Sequence, residues 1–440
     1  MGMFRKIKSH ITEHLKSGSE KILLIDGARQ VGKSYIIREA GTELFENYIE
    51  INLLEDSVSD KLFEKAKTVD DFYLTLSMIA GDRMKSRSDT LVFLDEIQVY
   101  PHLLTMLKFL RQDNRFTYIA SGSLLGVTLS LTSSIPMGSI EIMHMYPMDF
   151  EEYLIASGVG SLALDTLKSK FLKREALEEK AHEKMMDYFR KYLLSGGLPD
   201  AVKAFVETKN IVTVRKIQDE THDFYGADAS RYDTEHKLKI RRIYDMIPSS
   251  LENRKKRLKF RDIEEKKGKR WSDYQDEFDY LTSSGIALEV QAVSTPVFPL
   301  TEHSGKNLLK LYLNDVGILT GILYQNNIRA VLDDTVSLNL GTVYEAVVAE
   351  ELKAHGHSLF YYDNKTKGEV DFLLNDYSSL SVLPIEVKSG KDYTVHSALD
   401  SFISNPDYNV KSAVVLSNER EVYTDRNGIT YLPVYYVMFL

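Results

Sequence analysis

Gly27-Ala28-Arg29-Gln30-Val31-Gly32-Lys33-Ser34 follows the apolar run Ile22-Leu23-Leu24-Ile25 and leads into Tyr35-Ile36-Ile37-Arg38-Glu39-Ala40. The order is strand, glycine-rich turn, helix, with the spacing G-x-x-x-x-G-K-S of a phosphate-binding loop. Gly27 and Gly32 let backbone N–H groups curl around a phosphate because no Cβ intrudes. Lys33 is placed to reach the outer phosphates. Ser34 is placed to ligate Mg²⁺ at the start of a helix whose dipole favours anions. Residues 27–35, ending in Tyr35, are therefore the candidate nucleotide cradle, with ATP and Mg²⁺ as its expected occupants.

The strand after this helix is expected at Tyr48-Ile49-Glu50-Ile51-Asn52, and a helix is expected over 69–83. Thr90-Leu91-Val92-Phe93-Leu94-Asp95-Glu96 reads as a buried parallel strand that delivers two acids at its C-terminal end. Asp95 is expected to hold Mg²⁺ together with Ser34. Glu96 is expected to orient and deprotonate the attacking water. Gln98 either positions that base or caps a helix. Pro101 opens the next helix. Phe116-Thr117-Tyr118-Ile119-Ala120 forms a strand ending at Ser121-Gly122-Ser123. Ser121 and Ser123 are candidates for sensing the γ-phosphate or for capping a helix from 124. Residues 139–144 give the last strand of this core.

Composition bounds the rest. The chain has 440 residues, 43% hydrophobic and 27% charged, a globular balance with room for several domains. It lacks cysteine, which excludes disulfides, thiolate zinc sites and cysteine nucleophiles. Without an 18-residue apolar run or a signal-like N-terminus, the expectation is a cytoplasmic protein with no membrane span. The net charge of −9 excludes a wholly basic nucleic-acid binder. The charge is uneven: residues 251–270 carry ten Lys/Arg against four acids, +6, which leaves −15 on the remainder.

The loop together with Phe93-Leu94-Asp95-Glu96-Ile97-Gln98, Ser121-Gly122-Ser123, Pro147-Met148-Asp149-Phe150-Glu151-Glu152-Tyr153 and Ser195-Gly196-Gly197-Leu198-Pro199 resembles an AAA+-type ATP-binding family of bacteria and archaea. Its members carry a C-terminal domain similar to restriction endonucleases. The resemblance runs through nearly the whole chain. It implies an α/β P-loop NTPase core over 1–148 with Walker A, Walker B and sensor elements, and a helical lid over 149–210. Family members often have Gly-Arg where this chain has Gly138-Ser139. AAA+ relatives often form homo-oligomeric rings, and Arg111 and Arg115 near the sensor strand are the conceivable arginines for a neighbour's ATP.

Residues 211–332 read as helices followed by the basic run, Trp271, a helix ending at Tyr280-Leu281 and a Ser-Ser-Gly turn into Ile286-Ala287-Leu288. That order suggests a winged-helix-like unit, in which Lys255, Lys256, Arg257, Lys259 and Arg261 meet DNA phosphates or form a solvated face. Over 333–440, residues 341–352 read as an amphipathic helix, with strands at 359–362, 369–374, 383–388, 412–416 and 431–437. Alternation puts Glu386 and Lys388 on one side of their strand. Asp371, Glu386 and Lys388 resemble the D…E-x-K core of restriction-endonuclease-like nucleases, and Glu345 matches the extra acid many of them carry. The resemblance implies that Asp371 and Glu386 hold metal while Lys388 steadies the attacking water. A plain cross-strand ion pair accounts for Glu386 and Lys388 equally well. The functional expectation is an ATP-hydrolysing protein whose nucleotide state controls the nuclease-like domain. The alternatives are an ATP-gated, metal-dependent nuclease on double-stranded DNA and a nucleotide-dependent switch that binds a protein partner.

Overall fold

The computed structural model describes residues 2–440 except 124–137, 233–236, 254, 255, 257, 259, 265–269, 301–303, 333–339, 365 and 391. The chain divides into two compact units, one of residues 1–146 with 283–285, the other of 147–282 and 286–440.

The first unit is a five-stranded sheet, β1 Ile22–Asp26, β2 Asn47–Asn52, β3 Thr90–Asp95, β4 Thr117–Gly122 and β5 Ile140–His144, in the order β2-β3-β4-β1-β5. Every pairing is parallel. β1 and β3 are buried at all positions, which is why both read as unbroken apolar runs without alternation. The order β2-β3-β4-β1-β5 places the crevice at the carboxyl ends of β1, β3 and β4, where the loop after β1 begins. Helix starts follow local rules. Thr68 and Asp71 form a capping box ahead of Val69–Ala80, and Pro101 occupies the first turn of Pro101–Asp113. The core packs Phe63, Phe72, Leu76 and Leu107 against Ile49, Val92 and Leu94.

The second unit holds an eight-stranded mixed sheet, ordered β12-β13-β11-β10-β9-β8-β6-β7. Its strands are β6 Ala287–Val293, β7 Ser304–Leu313, β8 Phe360–Asn364, β9 Gly368–Asp376, β10 Ser381–Val387, β11 Ala413–Ser417, β12 Tyr423–Thr424 and β13 Ile429–Pro433. Three expectations change here. The strand read as part of a winged-helix-like segment, β6, forms no separate wing with β7. β6 pairs in parallel with β8, so a single sheet spans the expected break at 332/333. The last strand ends at Pro433, and 434–439 is a 3₁₀ turn. The helix Gly341–Ala354 is buried at every position from Thr342 to Leu352. Contacts with β6, β7, β10, the helix Val316–Tyr324 and the 434–439 turn close off the face that amphipathic patterning leaves to solvent.

Candidate functional site

The loop after β1 is shaped by residues that tolerate left-handed backbone: Gly27 at φ +148°, Gln30 at +63° and Gly32 at +94°. Lys33 then starts the helix Lys33–Leu44. Its side chain is buried, and Nζ donates to Gly27 O at 2.9 Å and Ala28 O at 2.8 Å. Burial pulls the ammonium below the usual lysine range, against the opposing pull of Glu96, Asp26 and Asp95. Two supports escaped the sequence reading. Arg5 donates to Val31 O at 2.7 Å and Tyr146 O at 2.6 Å, clamping the loop from outside. Asp26 accepts from Gly27 N at 2.8 Å and lies 3.0 Å from His144 Nδ1. An acid closing an apolar strand was a readable signal for Asp26; nothing local marked Arg5.

The expected second half of the site converges on this loop. Ser34 Oγ donates to Asp95 Oδ2 at 2.7 Å, and Ser121 Oγ donates to Asp95 Oδ1. Burial raises the Asp95 carboxyl above its ordinary range, partly offset by the Ser121 and Ser34 hydroxyls. Glu96 sits in left-handed backbone at φ +55°, which turns its side chain out of the strand direction. Glu96 Oε2 accepts from Ser123 Oγ at 3.1 Å and from Gln98 Nε2. Gln98 also donates to Ser123 Oγ at 3.2 Å, and Arg29 Nε donates to the same hydroxyl at 3.1 Å. Gln98 therefore lies beside Glu96 in the 3₁₀ turn Ile97–Val99, and Ser123 ties Glu96 to the loop through Arg29. The helix expected from 124 lies outside the described residues. The donor set suits its expected occupants: a hydroxyl and a carboxylate are hard oxygens of the kind Mg²⁺ takes, and the amine is anionophilic.

Ser139 lies elsewhere. β5 pairs with β1 so that Ile22 faces Ile140 and Asp26 faces His144, and Ile22 N donates to Ser139 O at 2.9 Å. Position 139 thus stands at the opening end of the strands, about 13 Å from their phosphate-loop end. An arginine there would not reach this chain's own phosphates, so Ser139 takes nothing from the site as built. Arg111 pairs with Glu20 at 2.9 Å, and Arg115 stacks 4.0 Å over Tyr73. A cavity of about 640 Å³ opens at that same far end, lined by His14, Lys21, Arg87 and Arg111 among others. None of its lining residues belongs to the 27–34 loop.

The acids of the second unit also come together. Glu345, Asp371 and Glu386 are buried, and Asp371 is pushed well above the ordinary carboxyl range by burial, then by Glu345 and Glu386. Lys388 Nζ lies 2.9 Å from Glu386 Oε1, and Asp371 Oδ2 accepts from Val387 N at 2.8 Å. Three more groups join that sequence reading did not place there. Lys256 pairs with Glu345, Tyr312 OH donates to Glu345 Oε2 at 3.2 Å, and Lys310 pairs with Glu369. Lys256 is thus an internal ion-pair partner of Glu345. Arg254, Lys255, Arg257 and Lys259 lie outside the described residues, as does the side chain of Arg261. Among the described residues, no group of three or more His, Asp or Glu is arranged to hold a metal ion, and no helix is long and apolar enough to cross a membrane.

The family model described as AAA domain matches residues 19–154, and two domains of unknown function, DUF8612 and DUF4143, match 186–328 and 340–437. No curated protein matches the chain in sequence. Among solved structures, the Walker-type ATPase paby2304 of Pyrococcus abyssi is 13% identical over 72% of this chain and 95% of its own, with a TM-score of 0.45. The Aeropyrum pernix ORC1 protein in complex with DNA is 12% identical over 75% and 94%, with a TM-score of 0.33. The RuvB Holliday junction branch migration motor of Thermotoga maritima is 14% identical over 65% and 89%, with a TM-score of 0.32. The AAA-domain match over 19–154 takes in the loop, the acids at the end of β3 and the parallel sheet that carries them.

Proposed function

We propose that this chain binds ATP with Mg²⁺ and hydrolyses it at Lys33, Ser34, Asp95 and Glu96. The observation that carries this reading is the joining of Ser34 and Ser121 on one carboxylate, Asp95, beside Glu96 held by Ser123 and Gln98. Mg²⁺, when bound, neutralises charge on the phosphates. The chain's residues do the rest. Backbone N–H groups of 27–34 cradle the phosphates, and Lys33 exchanges two carbonyl acceptors for anionic oxygens, which bind an ammonium more strongly. Ser34 and Asp95 supply oxygen ligands. Glu96 takes the proton of the attacking water once the nucleotide is seated.

Lys33→Ala is expected to abolish ATP binding measured by calorimetry. Glu96→Gln is expected to keep binding and lower turnover on the order of 100-fold or more. Unchanged turnover in Glu96→Gln would overturn the reading.

For the second unit we favour a nucleotide-dependent switch that binds a protein partner over an ATP-gated nuclease. Two of its nuclease-like acids, Glu345 and Glu386, are already paired with lysines, and the charge of the whole chain outside 251–270 is −15. Sedimentation with and without ATP tests this reading and reports any assembly of copies. A profile that ignores ATP would count against the switch.

A further inference from the structure

The D…E-x-K resemblance implies a divalent cation at Asp371 and Glu386, and the residues present do not fit one. A divalent ion needs several oxygens with free lone pairs converging at about 2.0–2.6 Å. Here most of those oxygens are already engaged, Glu386 Oε2 alone being buried without a partner, and among the described residues no three acids or histidines are arranged to hold a metal ion. Glu345 gives one oxygen to Lys256 and the other to Tyr312 OH, which lies at 3.2 Å. Glu386 Oε1 faces Lys388 at 2.9 Å, and Asp371 Oδ2 faces Val387 N at 2.8 Å. Four carboxylates (Glu345, Glu369, Asp371, Glu386) meet three lysines (Lys256, Lys310, Lys388), so a buried cluster that would otherwise demand a metal is nearly neutral without one.

The three lysines differ in origin. Lys310 is fully buried on β7, and Lys388 directly follows β10, so both belong to the sheet itself. Lys256 instead enters from the basic run, at a residue in left-handed backbone (φ +46°) whose N–H is tied to Asn253 O at 2.8 Å. Glu345 and Asp371 hold its ammonium above the usual lysine range against the cost of burial.

We propose that Lys256 is a built-in cation that fills the carboxylate cluster and keeps it free of divalent metal. Lys256 therefore serves this unit as an internal plug, and the nuclease-like acids act as a structural ion cluster. The inference stands apart from the ATPase reading, since it concerns only residues of the second unit.

Mn²⁺ binding to nucleotide-free protein, read by electron paramagnetic resonance and calorimetry, tests it without reference to activity. Wild type is expected to show no Mn²⁺ site that Asp371→Asn removes. Lys256→Met is expected to gain one Mn²⁺ per chain, at least about tenfold tighter than any wild-type binding, and to lose it again in Lys256→Met/Asp371→Asn. A wild-type site sensitive to Asp371→Asn overturns the proposal, as does a folded Lys256→Met protein that gains nothing. Should Lys256→Met fail to fold, Lys256→Arg, which keeps the cation, is expected to fold and exclude Mn²⁺. A wild type or Lys256→Arg protein that takes up Mn²⁺ in an Asp371-dependent way would then overturn it.

Discussion

A methyl group at Gly27 would stand 2.2 Å from Met145 O, and the residue holds φ +148°. Both facts forbid a side chain at the first glycine of the loop. Gly27→Ala is expected to cost about 1–3 kcal/mol from backbone strain alone and to weaken ATP binding. Gly138→Ala is the control, because a Cβ there meets nothing within 4 Å among the described residues. Thermal melts and nucleotide titrations of the two variants should separate clearly. Ser123 makes a subtler case. Its hydroxyl donates to Glu96 and accepts from Arg29 and Gln98, so Ser123→Ala is expected to lower turnover while leaving ATP affinity nearly unchanged. A loss of affinity as large as that of turnover would show that Ser123 serves binding and not the base. The loop residues were legible because each demand on them is local: a backbone conformation, a charge, a hydroxyl at fixed spacing.

At the scale of elements, Ser195-Gly196-Gly197-Leu198-Pro199 shows what its glycines are for. Asp315 Oδ2 accepts from Gly197 N at 2.7 Å and Leu198 N at 3.1 Å, while Oδ1 accepts from Ile318 N at 3.0 Å and caps Val316–Tyr324. A Cβ at Gly196 would stand 2.1 Å from that carboxylate, and one at Gly197 would stand 2.1 Å from Met148 O. Arg215 binds the same knot through Leu194 O at 3.1 Å and Gly317 O at 3.0 Å. Burial pushes the Asp315 carboxyl up to about 6 despite these N–H donors. Arg215 faces it with positive charge, and Glu350 is buried nearby with its own carboxyl raised by burial and by Asp315.

The sign follows from the direction of that shift. The folded state holds the Asp315 proton more tightly than the unfolded chain, whose pKa is near 3.9. This contribution is therefore complete below about pH 4 and is lost as pH rises through about 6. Asp315→Ala removes the cap and the linkage together. Its deficit in urea unfolding is expected to be larger at pH 5 than at pH 7.5, with the full linkage on the order of 2–3 kcal/mol. A deficit that grows with pH would contradict the raised carboxyl.

At the scale of the whole molecule, the sheet of the second unit decides what can fold alone. Residues 333–440 contain β8 to β13 but lack β6 and β7, so the edge of β8 that pairs with β6 would lie open, as would the helix face packed on both strands. A fragment 333–440 is expected to aggregate or to melt without cooperativity. A fragment 147–440 is expected to melt in one cooperative transition by circular dichroism. A stable, monomeric 333–440 fragment would refute the single-sheet account.

The sequence by itself determined the phosphate loop, the paired acids at the end of β3, the serines at the end of β4 and the parallel sheet beneath them. Each is written in a short window through periodicity, glycine placement or fixed spacing, and local backbone physics reads such windows directly. The D…E-x-K resemblance also grouped Asp371, Glu386 and Lys388, and the antiparallel pairing of β9 with β10 brings them to one place. Only the tertiary structure decided that β6 and β7 complete the C-terminal sheet and that the helix Gly341–Ala354 is enclosed. It alone put Lys256 beside Glu345, 89 positions on, and Arg5 on Val31 and Tyr146. Those outcomes depend on which edge a strand pairs with and which charge a fold encloses. Neither is encoded in any window shorter than the loop the chain must close to make them.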